Sequence, residues 1–476
     1  MSVSRVRSTA LLIASGLSLA ASPGQTVGAQ TLAVTGATII DGTGKAPLRD
    51  GVVLITNGRI TRVGTASEVQ VPANTHTVDA RGKFVIPGLM DSNLHLFLNL
   101  DLETLIKYEG RYHEIVIEGA QIALKTGQTT VFDTWGPRDA LIKARDMING
   151  GQATGSRIYL AGNIIGFDGP LSADFRLPAA PFVSKAFATR TNEAWELGTG
   201  RKLQWMYPEE VRAAIRTYAS SGVDFLKYGA SGHTDMNFLT FSPRQQLAIV
   251  EEGHRAGKTV QAHVTGPESF DMAVDAGVDI LTHGDMSGPT HTIPEETLKK
   301  TAAKDVAVSV LAVTQRHYEG LKKHQPQSIL TPFFGISHQN IRNMIKHKVR
   351  IILSTDAGIQ HPVLLSESRT IAADTTDPRV KLGDGHFNGL VALEELGMEP
   401  MEILKSVTSH VAHAYKLRDI GTLEAGKRGD LVILDADPLA SARNYRRINA
   451  VIKDGKVVDL GTLPTTPIIS AKPAAK

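Results

Sequence analysis

No cysteine occurs anywhere in the 476 residues. That excludes disulfides, thiolate metal ligands, a cysteine nucleophile and a lipid-bearing cysteine. An excess of charge is missing too: 51 Lys and Arg against 48 Asp and Glu leave a formal +3. Arg5 and Arg7 fall in a segment expected to be removed, so the remaining chain carries about +1. Such a balance gives neither a nucleic-acid footprint nor a steering field for acidic partners. The apolar stretch from Ala10 to Ala21 is interrupted by Ser15, Gly16 and Ser18. It falls short of the roughly 20 apolar residues that cross a bilayer, and no membrane span is expected.

What is present begins with a leader. Basic Arg5 and Arg7, the apolar stretch and Val27-Gly28-Ala29 before Gln30 read as a cleaved secretory signal over residues 1–29. Export without a single disulfide points to a periplasmic or secreted protein. Composition over the whole chain is that of an ordinary globular protein, 42% hydrophobic and 21% charged with no low-complexity tract.

Residues 30–85 predict short β-strands, with Asn57-Gly58 marking a tight hairpin between Val52–Thr56 and Arg59–Val63. Matching strands return only at 418–462, around Leu431–Leu434, Ala450–Ile452 and the Asp454-Gly455 turn. Between them, apolar runs alternate with amphipathic helical stretches: Thr129–Phe132, Arg157–Ala161, Phe225–Lys227, Val260–His263, Ile280–His283, Val306–Val313 and Arg350–Ser354. The fold class expected is therefore α/β: a (β/α)8 TIM-like barrel over 86–417, with a small β-sandwich built from both ends of the chain. A polar insertion, Phe167–Met206, interrupts the rhythm and has the position of a lid or specificity element. Residues 463–476, with three prolines, predict a disordered tail.

The segment Phe84-Val-Ile-Pro-Gly-Leu-Met-Asp-Ser-Asn-Leu-His-Leu96 is the most informative in the chain. In a strand, side chains at i and i+2 share a face, so Asn93 and His95 can reach one point while Leu94 faces away. Lys227, His263, His283 and Asp356 also stand at the ends of strand-like runs. Parallel-barrel enzymes gather their catalytic groups there. Imidazole and carboxylate donors suit zinc, manganese, cobalt, nickel or iron. His233, Gln315, His317 and His361 lie just past strand ends and are candidate substrate contacts. Tyr228, next to Lys227, should face the opposite side. His254 has helical spacing and reads as structural.

The order Asn-x-His, Lys, His, His, Asp resembles the metal-dependent amidohydrolase superfamily, whose pattern has His-x-His first. Flanking segments match as well: Gly82 to Asp91, His254 to His263, Ser354-Thr-Asp-Ala-Gly358 and Gly421 to Asp430. Most of this pattern is similar to the imidazolonepropionase-like and prolidase-like branch. The Asn-x-His variant resembles a subgroup that includes phenylurea and thiocarbamate hydrolases. The resemblance implies one or two divalent ions, zinc foremost. His95 and Asn93 would hold the buried ion and His263 and His283 the exposed one. Lys227 would be carboxylated to bridge them, since an ammonium cannot ligate a cation. Asp356 would touch the metal and act as general base. His386 sits where relatives often carry His-x-Glu, and the glutamate is missing.

The expectation is a homo-oligomeric enzyme that cleaves the carbon-nitrogen bond of a small-molecule amide, urea or carbamate. One alternative is a prolidase-like dipeptidase, with Arg316 holding the substrate carboxylate. Another is a binding protein that has lost catalysis because Asn93 replaces a ligand.

Overall fold

The computed structural model describes residues 30–98, 102–175, 180–328, 330–358 and 381–467. The expected leader and His361 lie outside the described residues. Strands of the first segment are β1 (Thr31–Ile39), β2 (Leu48–Thr56), β3 (Arg59–Thr65), β4 (His76–Asp79) and β5 (Phe84–Pro87). Asn57 and Gly58, at φ of 49° and 78°, make the turn between β2 and β3. Two successive positive φ values match the twist of the flanking strands. β5 pairs antiparallel with Leu431–Leu434 near the other end of the chain, in a register that sets Leu431 against Pro87. The strands expected to form a sandwich thus lie in one hydrogen-bonded sheet of eight. One apolar cluster on it joins Val34, Val53, Ile55 and Val85 to Leu431, Ile433 and Ile452.

Among the described residues, nine parallel strands carry the middle of the chain. β6 (Leu89–Leu94), β7 (Gln128–Asp133) and β8 (Arg157–Leu160) form a sheet of three. β9 (Ile164–Ile165), β10 (Leu226–Gly229), β11 (Val260–His263), β12 (Ile280–Thr282), β13 (Ala307–Val310) and β14 (Arg350–Leu353) form a sheet of six. Beyond the ends of β6 and β14, His95 and Gly358 form a parallel bridge. Buried strands such as β10, β11 and β13 are covered on both faces, which is why they read as apolar runs rather than alternations. Helices return the chain between strands. The helix Pro243–Arg255 is typical: Ser242 caps it, Gln245 closes the capping box and Pro243 stands at its first turn. No helix among the described residues is long and apolar enough to cross a membrane.

Arg157 on β8 joins the two parts of the molecule. Its side chain is 5% exposed and donates to Asp430 and to Asp454, each at 2.5 Å. Losing one member of such a buried pair costs about 3–5 kcal/mol. The insertion is folded: Ser184 caps the helix Lys185–Glu196, whose Trp195 is buried against Phe97 and Tyr112. The start of the expected disordered tail is ordered as well. Leu463 is buried with Leu124 and Val451, and its carbonyl accepts from the Lys125 ammonium at 2.6 Å, so one apolar contact and one polar contact hold it. Residues 468–476 lie outside the described residues.

Candidate active site

A cavity of about 330 Å³ opens where β6, β10, β11 and β12 end. His95, Lys227, His233, His263, His283 and Asp356 line its polar side. Leu98, Trp135, Ile164, Phe175, Met236, Met286 and Leu311 make an apolar wall, with Thr265 between. A larger groove of about 1150 Å³ lies elsewhere, among Arg157, Arg428 and Asp454. Those groups are ion-paired with one another, and none of the expected site residues faces it.

Backbone geometry aims the site. Asp356 and His283 have left-handed φ of 55° and 45°, conformations uncommon outside glycine that turn each residue off its strand direction. Asp356 is then tied to β6: its N–H donates to the Asn93 carbonyl at 2.9 Å, and His95 N–H donates to the Ala357 carbonyl at 2.8 Å. The Trp135 carbonyl lies 3.2 Å from His95 Nδ1. Nε2 faces Asp356 Oδ1 at 3.0 Å, so both ring nitrogens meet acceptor oxygens.

Asn93 is fully buried behind the cavity and does not line it. Its Nδ2 donates to Asp356 Oδ1 at 2.9 Å. Its Oδ1 accepts from Lys227 Nζ at 3.1 Å and from the Thr134 hydroxyl. Lys227 also donates to Thr134 Oγ1 at 3.0 Å. The amide therefore links the lysine to the carboxylate. Tyr228, on the other face of β10, donates to Gln246 Oε1 of the covering helix at 2.9 Å, as strand parity requires.

Charge follows burial. Desolvation lowers Lys227 to about 8, although Asp356 and Asp133 oppose the shift. Burial likewise holds His263 well below the usual imidazole range and His283 at about 3, so both rings are neutral. Burial would raise Asp356, but the His95 hydrogen bond, with the electrostatic pull of His95 and Lys227, holds it well below the carboxylate range. Among the described residues no three His, Asp or Glu side chains stand in ligand geometry, and Asp356 and His95 bond to each other. The donor chemistry still fits a borderline divalent cation: two neutral imidazoles, a third imidazole and an ionised carboxylate line one cavity.

Two expected substrate contacts are elsewhere. The Thr314 hydroxyl accepts from His317 N–H at 3.1 Å and caps the helix Gln315–His324, so after the short link 311–314 the chain turns into a helix that takes both residues away from the cavity. Gln315 is exposed and donates to Glu319, while His317 is buried edge-on to Phe334. Exposed Arg316 does not line the cavity either. His233 does, 4.6 Å from the Phe175 ring and 5.8 Å from that of His263. His254 pairs with Asp279 at 2.8 Å, and buried His386 accepts from Gln128 and faces the Thr126 carbonyl, both structural arrangements. Trp135, stacked on Phe175 at 4.2 Å, was missed from sequence. It stands two residues past β7, where the strand-end rule could have found it.

The model of the amidohydrolase family matches residues 84–458. The chain belongs to the amidohydrolase family. This amidohydrolase is thereby a hydrolase of carbon-nitrogen bonds. Among solved structures, it is similar to molinate hydrolase, at 36% identity and a TM-score of 0.88 over 94% of this chain and 98% of that one. It is similar to phenylurea hydrolase B at 34% identity and 0.86, over 93% and 100%. Ochratoxinase of Aspergillus niger is 26% identical over 88% of this chain and 85% of its own length.

Proposed function

We propose that this amidohydrolase is an exported, metal-dependent enzyme that hydrolyses a neutral amide, urea or carbamate. The observation that carries the reading is the cavity itself: His95, Lys227, His263, His283 and Asp356 on one side and an apolar wall on the other. The similarity to molinate hydrolase and phenylurea hydrolase B supports the substrate class. The two parallel sheets are read as one (β/α)8 barrel, and residues 1–29 as the export signal.

His95, His263, His283 and Asp356, with a carboxylated Lys227, would hold one or two divalent ions, zinc foremost. When bound, such an ion acidifies a water toward a pKa of about 7 and polarises the scissile carbonyl. Asp356, held ionised, accepts the water's proton on a carboxylate oxygen and returns it to the leaving nitrogen. The partly neutral Lys227 amine has the free lone pair that adds to carbon dioxide, forming a carbamate and releasing one proton. His95 is oriented by the Trp135 carbonyl, and Asn93 fixes the distance between Lys227 and Asp356. Leu98, Phe175 and Met286 exclude water from one side of the substrate.

A prolidase-like dipeptidase needs a cation for the substrate carboxylate. Among the described residues the only cationic side chain on the cavity is Lys227, which Asn93 and Thr134 already engage. A binding protein without catalysis has no use for a carboxylate held ionised beside an imidazole. A panel of neutral aryl amides, ureas and carbamates against dipeptides separates these readings. Turnover confined to dipeptides, or no turnover in metal-loaded protein, overturns the proposal.

A further inference from the structure

Asp91 is buried on β6 and does not line the cavity, yet it accepts three hydrogen bonds from the residues that carry the site. Asp91 Oδ1 accepts from the backbone N–H of Asn93 and of Thr355, each at 3.2 Å. Asp91 Oδ2 accepts from the Thr355 hydroxyl at 2.6 Å. The same hydroxyl oxygen then accepts from Ala357 N–H at 3.1 Å. Between Thr355 and Ala357 stands Asp356, in its left-handed conformation, with its own N–H on the Asn93 carbonyl.

We propose that Asp91 and Thr355 are positioning residues that set the Asp356 carboxylate by anchoring the turn on both sides of it. Three donors converge on Asp91, and a carboxylate is the side chain with acceptors alone and enough lone pairs for all three. It directs the Thr355 proton toward β6, which leaves the hydroxyl lone pair free for Ala357. The N–H groups of residues 355, 356 and 357 are thereby all engaged. A strained residue persists where its surroundings over-determine it. The same carboxylate grips Asn93, so one group sets the spacing of the two strands across which Asn93, His95 and Asp356 meet. An amide at position 91 does this less well: with its NH₂ toward Thr355 the hydroxyl proton loses its acceptor, and with its NH₂ the other way it opposes two backbone N–H groups.

The inference rests on Asp356 being the base, and the test separates the two. Thr355→Val keeps the shape of a buried side chain and removes the hydroxyl; Thr355→Ser keeps the hydroxyl. Steady-state kinetics and thermal unfolding are measured for Thr355→Val, Thr355→Ser, Asp91→Asn, Asp356→Asn and the double variant Thr355→Val/Asp356→Asn. Expected is a kcat about tenfold or more lower in Thr355→Val and Asp91→Asn with KM little changed, since misplacement of a reacting group acts on the chemical step. Thr355→Ser restores kcat to within about threefold, and the Thr355→Val loss vanishes on the Asp356→Asn background. A Thr355→Val enzyme with a lowered Tm but normal kcat overturns the proposal, as does an equal loss on both backgrounds. Normal kcat in Asp356→Asn overturns the base assignment instead. If Thr355→Val does not fold, Asp91→Asn against Thr355→Ser decides by the same criteria.

Discussion

Replacing Asp356 by asparagine removes one proton acceptor and leaves nearly everything else in place. Asparagine tolerates the left-handed φ of 55° as well as aspartate does. Its Oδ1 can still accept from Asn93 Nδ2 and from His95 Nε2, now at 2.9 and 3.0 Å. What is lost is charge, and with it the means to take a proton from water. General-base transfer contributes about 10² to 10⁴ in rate, or about 3–5 kcal/mol of barrier. The two hydrogen bonds to a neutral acceptor weaken by about 1 kcal/mol each. Asp356→Asn should therefore lower kcat by about 10² or more, leave KM within a few-fold and reduce stability only modestly. The assay is steady-state hydrolysis of a neutral aryl amide or urea, with thermal unfolding and metal per chain measured on the same preparation. Near-normal kcat with intact metal would assign the base to another group; a variant empty of metal would make Asp356 mainly a ligand.

Lys227→Ala should abolish activity, and a short carboxylic acid should restore part of it by standing in for the carbamate; unchanged activity removes Lys227 from the mechanism. The same lysine gives a stability signature in metal-free protein. Its folded pKa, about 8, lies below the unfolded value of about 10.4, so stability rises with pH through that window and is lost as pH falls through 8. Denaturation of wild type and Lys227→Met between pH 7 and 11 should differ by up to about 3 kcal/mol in that rise, and parallel curves would refute the buried ammonium. Phe175 stacks on Trp135 and touches the space beside His233, so Phe175→Ala should improve kcat/KM for bulkier leaving groups relative to small ones. An unchanged preference would remove the insertion from substrate selection.

The strand-end rule carries far in this chain because a parallel sheet turns one-dimensional spacing into a shared rim. His95, Lys227, His263, His283 and Asp356 were selected from sequence by that rule, and all five line one cavity. Gln315 and His317 satisfied the same rule but do not line the cavity, because Thr314 caps a helix that carries them away. An N-cap is a local signal, and Thr314 could have been read as one. The apolar wall was harder. Phe175 comes from the insertion, and nothing in a polar loop sequence tells which aromatic will stack on Trp135. Asp91 and Thr355 stood inside segments that carry the resemblance but were given no role, and Thr134 was not singled out; their importance lies in partners 41 to 264 residues away, which spacing cannot encode. At the ends of the chain, hairpin signals such as Asn57-Gly58 located the strands. How they associate is set by long-range pairing such as β5 with Leu431–Leu434.

Metal dependence of carbon-nitrogen hydrolysis is the central claim, and one titration tests it most directly. Purified protein is stripped with a strong chelator, its metal per chain is measured, and hydrolysis of a neutral amide, urea or carbamate is followed as zinc is added back. Activity should vanish in the stripped protein and return in proportion to bound metal, saturating at one or two ions per chain. Full turnover in protein demonstrably free of metal would contradict the account.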